Sequence, residues 1–494
     1  MKLRTLLSRL LLLVIAVCLT NIILYLWPVN RRTSNGLFSN TDQTISKNLI
    51  VDVENTWYEL IRSWRRQKIR TNEHLQNLLD KGILKSPEEN GFREEPLPSF
   101  RAPLQKEIRS DLKGNVRKIN QAQKIFGESF LRVPPKFVLV IQVHERFENL
   151  IALIDSLSRV HGIEDTLLVF SHDVFLDEIN SLVANIGFAP VLQIFYPYSI
   201  QIYNSSFPAQ DPRDCPRTLT NTSSNCLNKD WPDFASHYRE ANVSQTKNHW
   251  FWKLLFASEK LTILRDFDGY FLLLEEDHLV LDDILHVLQK AIDLGTSADI
   301  ISLGSYTQPD FTDHQKVYLT KWRSSRHNMG MAMNRKTIGR IRSCSQVFCT
   351  YDDYNWDWSL QFVGLTCFKP ELTVLHFNFA PRVYHTGVCG MHSSQRDCDV
   401  RRFLAELQAK IDLQFRPWLF PEHLELADGE ALSGASRRNG GWGDVRDQTL
   451  CLSFARNRWL ALSEHPSVIA NSRDVAHMEP LLRGVPLTEI DPLS

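Results

Sequence analysis

Apolar runs of strand length that stop on polar residues constrain this chain more than any other feature. Phe137 to Val143 (FVLVIQV), Thr166 to Phe170 (TLLVF), Val191 to Phe195, Tyr270 to Leu274 (YFLLL) and Asp299 to Leu303 are such runs. They are continuous rather than alternating, which marks strands buried on both faces. Leu150, Ile151, Leu153, Ile154 and Leu157 follow the first run at helical spacing. Strand–helix–strand alternation of this kind predicts an α/β fold with a mostly parallel, Rossmann-like sheet flanked by helices. Ligands of such sheets bind outside the carboxyl ends of the strands. The residues just after each run are therefore the first place to look for chemistry.

Leu10 to Trp27 is a different kind of run. It is broken only by Thr20 and Asn21 and preceded by Lys2, Arg4 and Arg9. A bilayer core takes roughly 17–25 residues, so this segment is expected to be a transmembrane signal anchor. The leading basic residues favour a cytoplasmic N-terminus. Eight cysteines lie beyond the run, an even number with no CxxC pair; that suits disulfides in an oxidising compartment and argues against structural zinc. Asn204, Asn221 and Asn242 each begin an N-x-S sequon, a glycosylation signal on the secretory route. Ile50, Val53, Trp57, Leu60, Ile61 and Trp64 recur at helical steps. This amphipathic helix reads as a solvated face or as a stem that forms a homodimer. Fifty-six Lys and Arg against 57 Asp and Glu leave a net charge of −1. No nucleic-acid partner is expected from that balance.

Glu275-Glu276-Asp277-His278 follows the run Tyr270–Leu274 directly. Three acids at the end of a buried strand repel one another and lose hydration, which a divalent cation offsets. His385 is a second candidate ligand. Asp352-Asp353-Tyr354-Asn355-Trp356-Asp357-Trp358 sets carboxylates among aromatics, a mixture suited to sugars, and Asp357 between two tryptophans is a candidate general base. Gln142, His144 and Arg146 close the first run and Asp173 the second, while Gln245-Thr246-Lys247-Asn248-His249 precedes an aromatic stretch. These could hold a base, a ribose and phosphates. No G-x-G-x-x-G follows the first run and no G-x-x-x-x-G-K-[ST], G-x-S-x-G or H-E-x-x-H occurs. Dinucleotide, P-loop, serine-hydrolase and zincin chemistry lack support.

In order along Phe137 to Arg456, several of these segments resemble the N-acetylglucosaminyltransferase II family. The motifs are Gln142-Val143-His144, Phe170-Ser171-His172-Asp173, Asp211 to Arg217 (DPRDCPR), Ser244-Gln245-Thr246-Lys247, Leu274 to His278, His327-Asn328-Met329-Gly330, Cys349 to Trp358, Cys389-Gly390-Met391-His392 and Asn439 to Asp444. The resemblance implies a GT-A glycosyltransferase fold in the Golgi membrane, single-pass type II with a luminal catalytic domain. It implies inverting transfer of GlcNAc from UDP-GlcNAc, in β1,2 linkage, to the α1,6-arm mannose of an N-glycan on a glycoprotein. Asp357 would be the catalytic base, and Asp277 and His385 would bind Mn²⁺. Gln142, Val143, His144, Glu145, Arg146, Asp173 and Gln245 to His249 would line the donor site. Glu275, Asn328, Tyr354 and Trp356 would contact the acceptor. The implied disulfides are Cys215–Cys226, Cys344–Cys367, Cys349–Cys451 and Cys389–Cys398. The alternatives are a related β1,2-GlcNAc-transferase with another mannose acceptor and a non-catalytic glycan-binding scaffold. The expected organisation is a tail (1–9), an anchor (10–27), a luminal stem (28–133), a catalytic domain (134–460) and a C-terminal tail (461–494).

Overall fold

A computed structural model describes residues 76–78, 80–84, 106–219, 225–307, 309–310, 313–387, 400–428 and 438–456. The segment Leu10–Trp27, most of the expected stem, Asn221, Cys389, Cys398 and the tail from 457 on lie outside them. All described residues belong to one unit, His74–Ser494. No helix among the described residues is long and apolar enough to cross a membrane.

Among the described residues twelve strands form: β1 Ile125–Phe126, β2 Phe137–Val143, β3 Thr166–His172, β4 Val191–Phe195, β5 Tyr270–Glu275, β6 His278–Val280, β7 Ile300–Ser302, β8 Lys316–Lys321, β9 Met331–Asn334, β10 Thr373–His376, β11 Val383–His385 and β12 Glu425–Asp428. Six helices position the site: α1 Lys106–Ala122, α2 Phe147–Ser158, α3 Ala241–Glu259, α4 Ile284–Asp293, α5 Trp356–Thr366 and α6 Val445–Ala455. The main sheet has ten strands in the order β1-β4-β3-β2-β5-β9-β7-β10-β8-β12, and β11 pairs with β6 in a separate ribbon. The block β4-β3-β2-β5 is wholly parallel. The other half is mixed, because β9 runs antiparallel to both β5 and β7, and β8 antiparallel to β10.

Every residue of β2 and β3 is buried, which explains why those runs carry no alternation in sequence. The alternation appears in which core each residue enters. Val138, Val140, Leu167 and Val169 face one side, against Trp250, Phe251, Leu254 and Leu255 of α3. Leu139, Ile141, Leu168 and Phe170 face the other, against Leu150, Leu153, Ile154 and Leu157 of α2. Each such side chain contributes about 1.5–3 kcal/mol on burial. Leu112 and Val116 of α1 join the first core, and Leu78 and Leu84 join the second. Parts of the stretch read as stem are thus built into the body ahead of Pro134.

Register then decides the site. Gln142 lies opposite both Ser171 and Glu275, and Val143 opposite His172. The carboxyl ends of β2, β3 and β5 therefore finish side by side, and the polar residues that follow them converge.

Candidate active site

Three strand ends build the first part of the site. Beyond β2 the backbone turns at His144, and the carboxylate of Glu276 pins that turn. Its Oε2 accepts the N–H of His144 (2.7 Å) and its Oε1 the N–H of Arg146 (3.2 Å). The Glu276 N–H in turn donates to the Gln142 carbonyl (2.9 Å). Glu276 is buried, and burial pushes its carboxyl up to about 7. Asp173, at the end of β3, accepts from Nδ1 of His144 (2.5 Å) and from Nε2 of Gln245 (2.9 Å). His249, one helical turn after Gln245, lies 3.8 Å from the same carboxylate oxygen and meets Ser171 Oγ through its Nε2 (2.8 Å). Burial alone would lower the His144 pKa, but Asp173, with Glu276 and Glu275 behind it, outweighs that and raises it to about 9. Burial disfavours the ionised Asp173, but the imidazole of His144 overrides it and holds the carboxyl well below its usual range.

The second part lies beyond β5. Asp277 is buried; its Oδ2 meets the Arg146 guanidinium and lies 3.3 Å from Nε2 of His385. His385 ends β11, opposite His278 of β6. Thr386 locks this corner by donating its N–H and hydroxyl to the Asp277 carbonyl (2.7 and 2.8 Å). Oδ1 of Asp277 is buried without a hydrogen-bond partner. A Cβ at Gly387 would come within 2.4 Å of Asp277 Oδ2 and 2.8 Å of His385 Cε1. An orphaned carboxylate oxygen beside an imidazole, in a corner that only glycine leaves open, fits a divalent cation. Glu275, Asp277 and His278 also bring ligand atoms within 4.8 Å of one another, as do His144, Asp173 and His249.

The third part is Asp357, in the first turn of α5. Its Oδ2 accepts from Ser324 Oγ (2.9 Å) and Asn328 Nδ2 (2.8 Å), and its Oδ1 accepts the Trp358 N–H (2.9 Å). A carboxylate offers about four acceptor positions, so three are filled and one is left for a proton donor from outside. Burial raises its pKa despite those three donors, and the charge of Glu275 adds to the rise.

The model of the N-acetylglucosaminyltransferase II (MGAT2) family matches residues 113–451. The chain belongs to the N-acetylglucosaminyltransferase II family. It is 44% identical over 334 residues to alpha-1,6-mannosyl-glycoprotein 2-beta-N-acetylglucosaminyltransferase of Sus scrofa, covering 66% of this chain and 74% of that protein. The Homo sapiens protein of that name is 42% identical (65% and 74% covered) and the Arabidopsis thaliana one 29% (65% and 75%).

For this family member, the site gathers most of the residues expected of it but not all. Gln142, His144, Arg146, Asp173, Gln245 and His249 come together. Val143 points into the core and contributes its carbonyl, and Glu145 is exposed. Lys247 is not in this group. It lies on another face of α3, buried, with its ammonium donating to the carbonyls of Tyr351 (3.1 Å) and Asp353 (2.9 Å) above the Trp442 ring. Burial brings its pKa down to about 7. Asn248 is buried and Thr246 half-buried on the same helix. The acidic aromatic stretch also divides. Asp352 accepts the N–H groups of Phe234 and Trp442, and Asp353 those of Asn355 and Asn439. Both build the loop, whereas Asp357 is held by the side chains of Ser324 and Asn328. Trp356 is buried face to face on Trp250, 4.4 Å between centroids, so its ring braces the start of α5. Tyr354 is half-buried beside Gly441. Ser324 was invisible as a functional residue in sequence, since a hydroxyl 33 positions before its carboxylate partner carries no local signal, whereas Glu276, flagged within the acidic run, turns out to pin the backbone after β2. Cys215–Cys226, Cys344–Cys367 and Cys349–Cys451 are formed as the family resemblance implies. Asn204 and Asn242 are both exposed.

Proposed function

We propose that this protein transfers GlcNAc from UDP-GlcNAc, with inversion and in β1,2 linkage, to the α1,6-arm mannose of N-glycans, completing the step from hybrid to complex glycans. The observation that carries this reading is Asp357: a half-buried carboxylate with one open acceptor position, in a chain of this family. The acceptor mannose offers its 2-hydroxyl to that position. Asp357 removes the proton as the oxygen attacks the anomeric carbon from the face opposite the leaving UDP. Ser324 and Asn328 hold the carboxylate against rotation, so its lone pair stays aimed. His144, Asp173, Gln245 and His249 form the donor end, and Arg146 brings a cation toward the diphosphate.

Asp277 and His385 are the residues proposed to hold Mn²⁺, in a GT-A arrangement, with Glu275 and His278 next to them. When bound there, a divalent cation neutralises charge on the leaving diphosphate. The apolar run Leu10–Trp27, the sequons and the three disulfides support a Golgi, type II membrane placement with the catalytic body in the lumen, since disulfides persist in oxidising compartments.

The test is mass spectrometry of product from UDP-GlcNAc, Mn²⁺ and a hybrid N-glycan carrying GlcNAc on its α1,3 arm. One added GlcNAc on the α1,6 arm is expected. Asp357→Asn should lower transfer by about 10²–10⁴-fold while UDP and Mn²⁺ still bind by calorimetry. Turnover near that of the unaltered enzyme in that variant would remove Asp357 from the mechanism.

A further inference from the structure

The loop after β7 carries a residue that the motifs leave unassigned. Gly304 forms an isolated parallel bridge with Val383 of β11, and its N–H donates to the Met329 carbonyl (3.1 Å). Val383 stands two residues before His385, and Met329 directly follows Asn328. Tyr306, two residues beyond Gly304, is therefore strung between the Asp277–His385 corner and the Asn328–Asp357 side. A Cβ at Gly304 would lie 2.6 Å from Met329 Cγ and 2.9 Å from its carbonyl oxygen, so glycine is what lets this loop press against the base side. The loop is tied down beyond Tyr306 as well. The Thr307 N–H donates to Ser305 Oγ (3.0 Å), Thr307 Oγ1 donates to Asn378 Oδ1 (3.0 Å), and the Asp310 N–H donates to the Phe379 carbonyl (2.7 Å).

On this anchored loop Tyr306 is 56% exposed. It is wetted yet surrounded: the cleft walls push its phenol well above the ordinary value by burial, and Glu275, Asp357 and Asp277 add their charges. The loop that carries it is bound at the Gly304 N–H to Met329, the neighbour of Asn328, whose Nδ2 holds Asp357. An exposed aromatic ring fixed beside a reacting carboxylate has few uses in a soluble cleft. A pyranose presents a face of C–H groups that stacks on such a ring, and the phenol supplies a polar handle at its rim.

We infer that Tyr306 is an acceptor-binding, specificity-determining residue, whose ring forms the wall against which the acceptor sugar packs while Asp357 takes its proton. This rests on the transfer reaction proposed above. The acceptor side is favoured over the donor side because the loop of Tyr306 is pinned through Gly304 to Met329, beside the Asn328 that holds Asp357, while His144, Asp173, Gln245 and His249 gather at the ends of β2 and β3.

The experiment compares Tyr306→Ala and Tyr306→Phe in the full chain with UDP-GlcNAc, Mn²⁺ and the hybrid glycan. Tyr306→Ala should raise the acceptor KM about tenfold, with donor KM, UDP affinity and melting temperature unchanged. Tyr306→Phe keeps the ring and should recover most of the loss. Slow hydrolysis of UDP-GlcNAc without acceptor needs only the donor site and should be equal in all three proteins. An unchanged acceptor KM in Tyr306→Ala, or a rise confined to the donor KM, overturns the assignment. If the unaltered enzyme makes no product, the functional reading has failed. Calorimetric titration with the glycan alone then tests the ring by itself, and equal affinity for the unaltered protein and Tyr306→Ala overturns it.

Discussion

Two carboxylates of this site show how residue environment divides labour. Asp173 meets His144, Gln245 and His249 and stays ionised; Asp357 meets only neutral donors and keeps a proton more readily. The first is a fixed charge, and the second has the environment that the proposed base requires. Because burial raises the Asp357 pKa, the acid limb of kcat/KM should lie above the ordinary aspartate value of about 3.9. The His144–Asp173 pair makes a separate prediction about stability. The folded-state pKa of His144 is raised to about 9, above the unfolded value of about 6.5. Its contribution is therefore complete below that unfolded value and disappears as pH rises through about 9. Asp173 is depressed, so its share is complete above the ordinary aspartate value and is lost only as pH falls through its lowered one. The melting-temperature gap between the unaltered protein and His144→Gln should be widest near about pH 6 and close by about pH 10. A gap that does not change with pH would count against the pair.

At the scale of elements, α3 carries two functions on two faces. Gln245 and His249 are four residues apart and reach Asp173 together, as helix geometry requires. Lys247 lies between them in sequence and therefore faces another way, toward the carbonyls of Tyr351 and Asp353. It ties α3 to the loop that leads into α5 and Asp357. Lys247→Ala removes two charge-assisted hydrogen bonds from carbonyls that also accept the Asp353 N–H (2.8 Å) and Ser359 Oγ (3.3 Å) and should lower the unfolding free energy by about 2–4 kcal/mol, measured in urea. The kcat should fall as the loop slackens, with the donor KM within about twofold. A raised donor KM at unchanged stability would instead return Lys247 to the donor site. Contiguous motif residues on a helix cannot all face one ligand, and the structure separates them accordingly.

Over the whole molecule, the sheet joins a parallel half that ends in the Asp173 cluster to a mixed half that carries Asn328 and the loop of Tyr306. Helix α6 closes the assembly from the far end of the chain. Its Cys451 bonds Cys349 across a separation of 102 residues, and the Trp442 indole donates to the Cys349 carbonyl (2.7 Å). Asp352 accepts the Trp442 N–H, and Asp353 is bound by Asn439. The segment before α6 thus scaffolds the loop before Asp357. Loop-closure entropy for a separation of that size amounts to about 4–5 kcal/mol. The double variant Cys349→Ser, Cys451→Ser should lose stability on that order and unfold at a lower denaturant midpoint. An unshifted midpoint would show that packing around Trp442 holds the closure alone.

What the sequence by itself determined was local and periodic. Continuous apolar runs dictated strands buried on both faces, their spacing dictated an α/β sheet, and the end of β5 marked Glu275 to Asp277 as a place where charge must be compensated. The ordered motifs named the family and singled out Asp357. Tertiary structure decided what no window of sequence contains. Register set Gln142, Ser171 and Glu275 side by side; the β6–β11 ribbon brought His385 to Asp277 across 108 positions; and chain crossing delivered Ser324 to Asp357. It also reassigned residues whose motif membership suggested ligand contact. Lys247, Asp352, Asp353 and Trp356 hold the loop and its core rather than face the cleft. A motif records which residues occur together, whereas the direction of a side chain depends on helix phase and on what its neighbours leave open. Those are properties of the packed molecule.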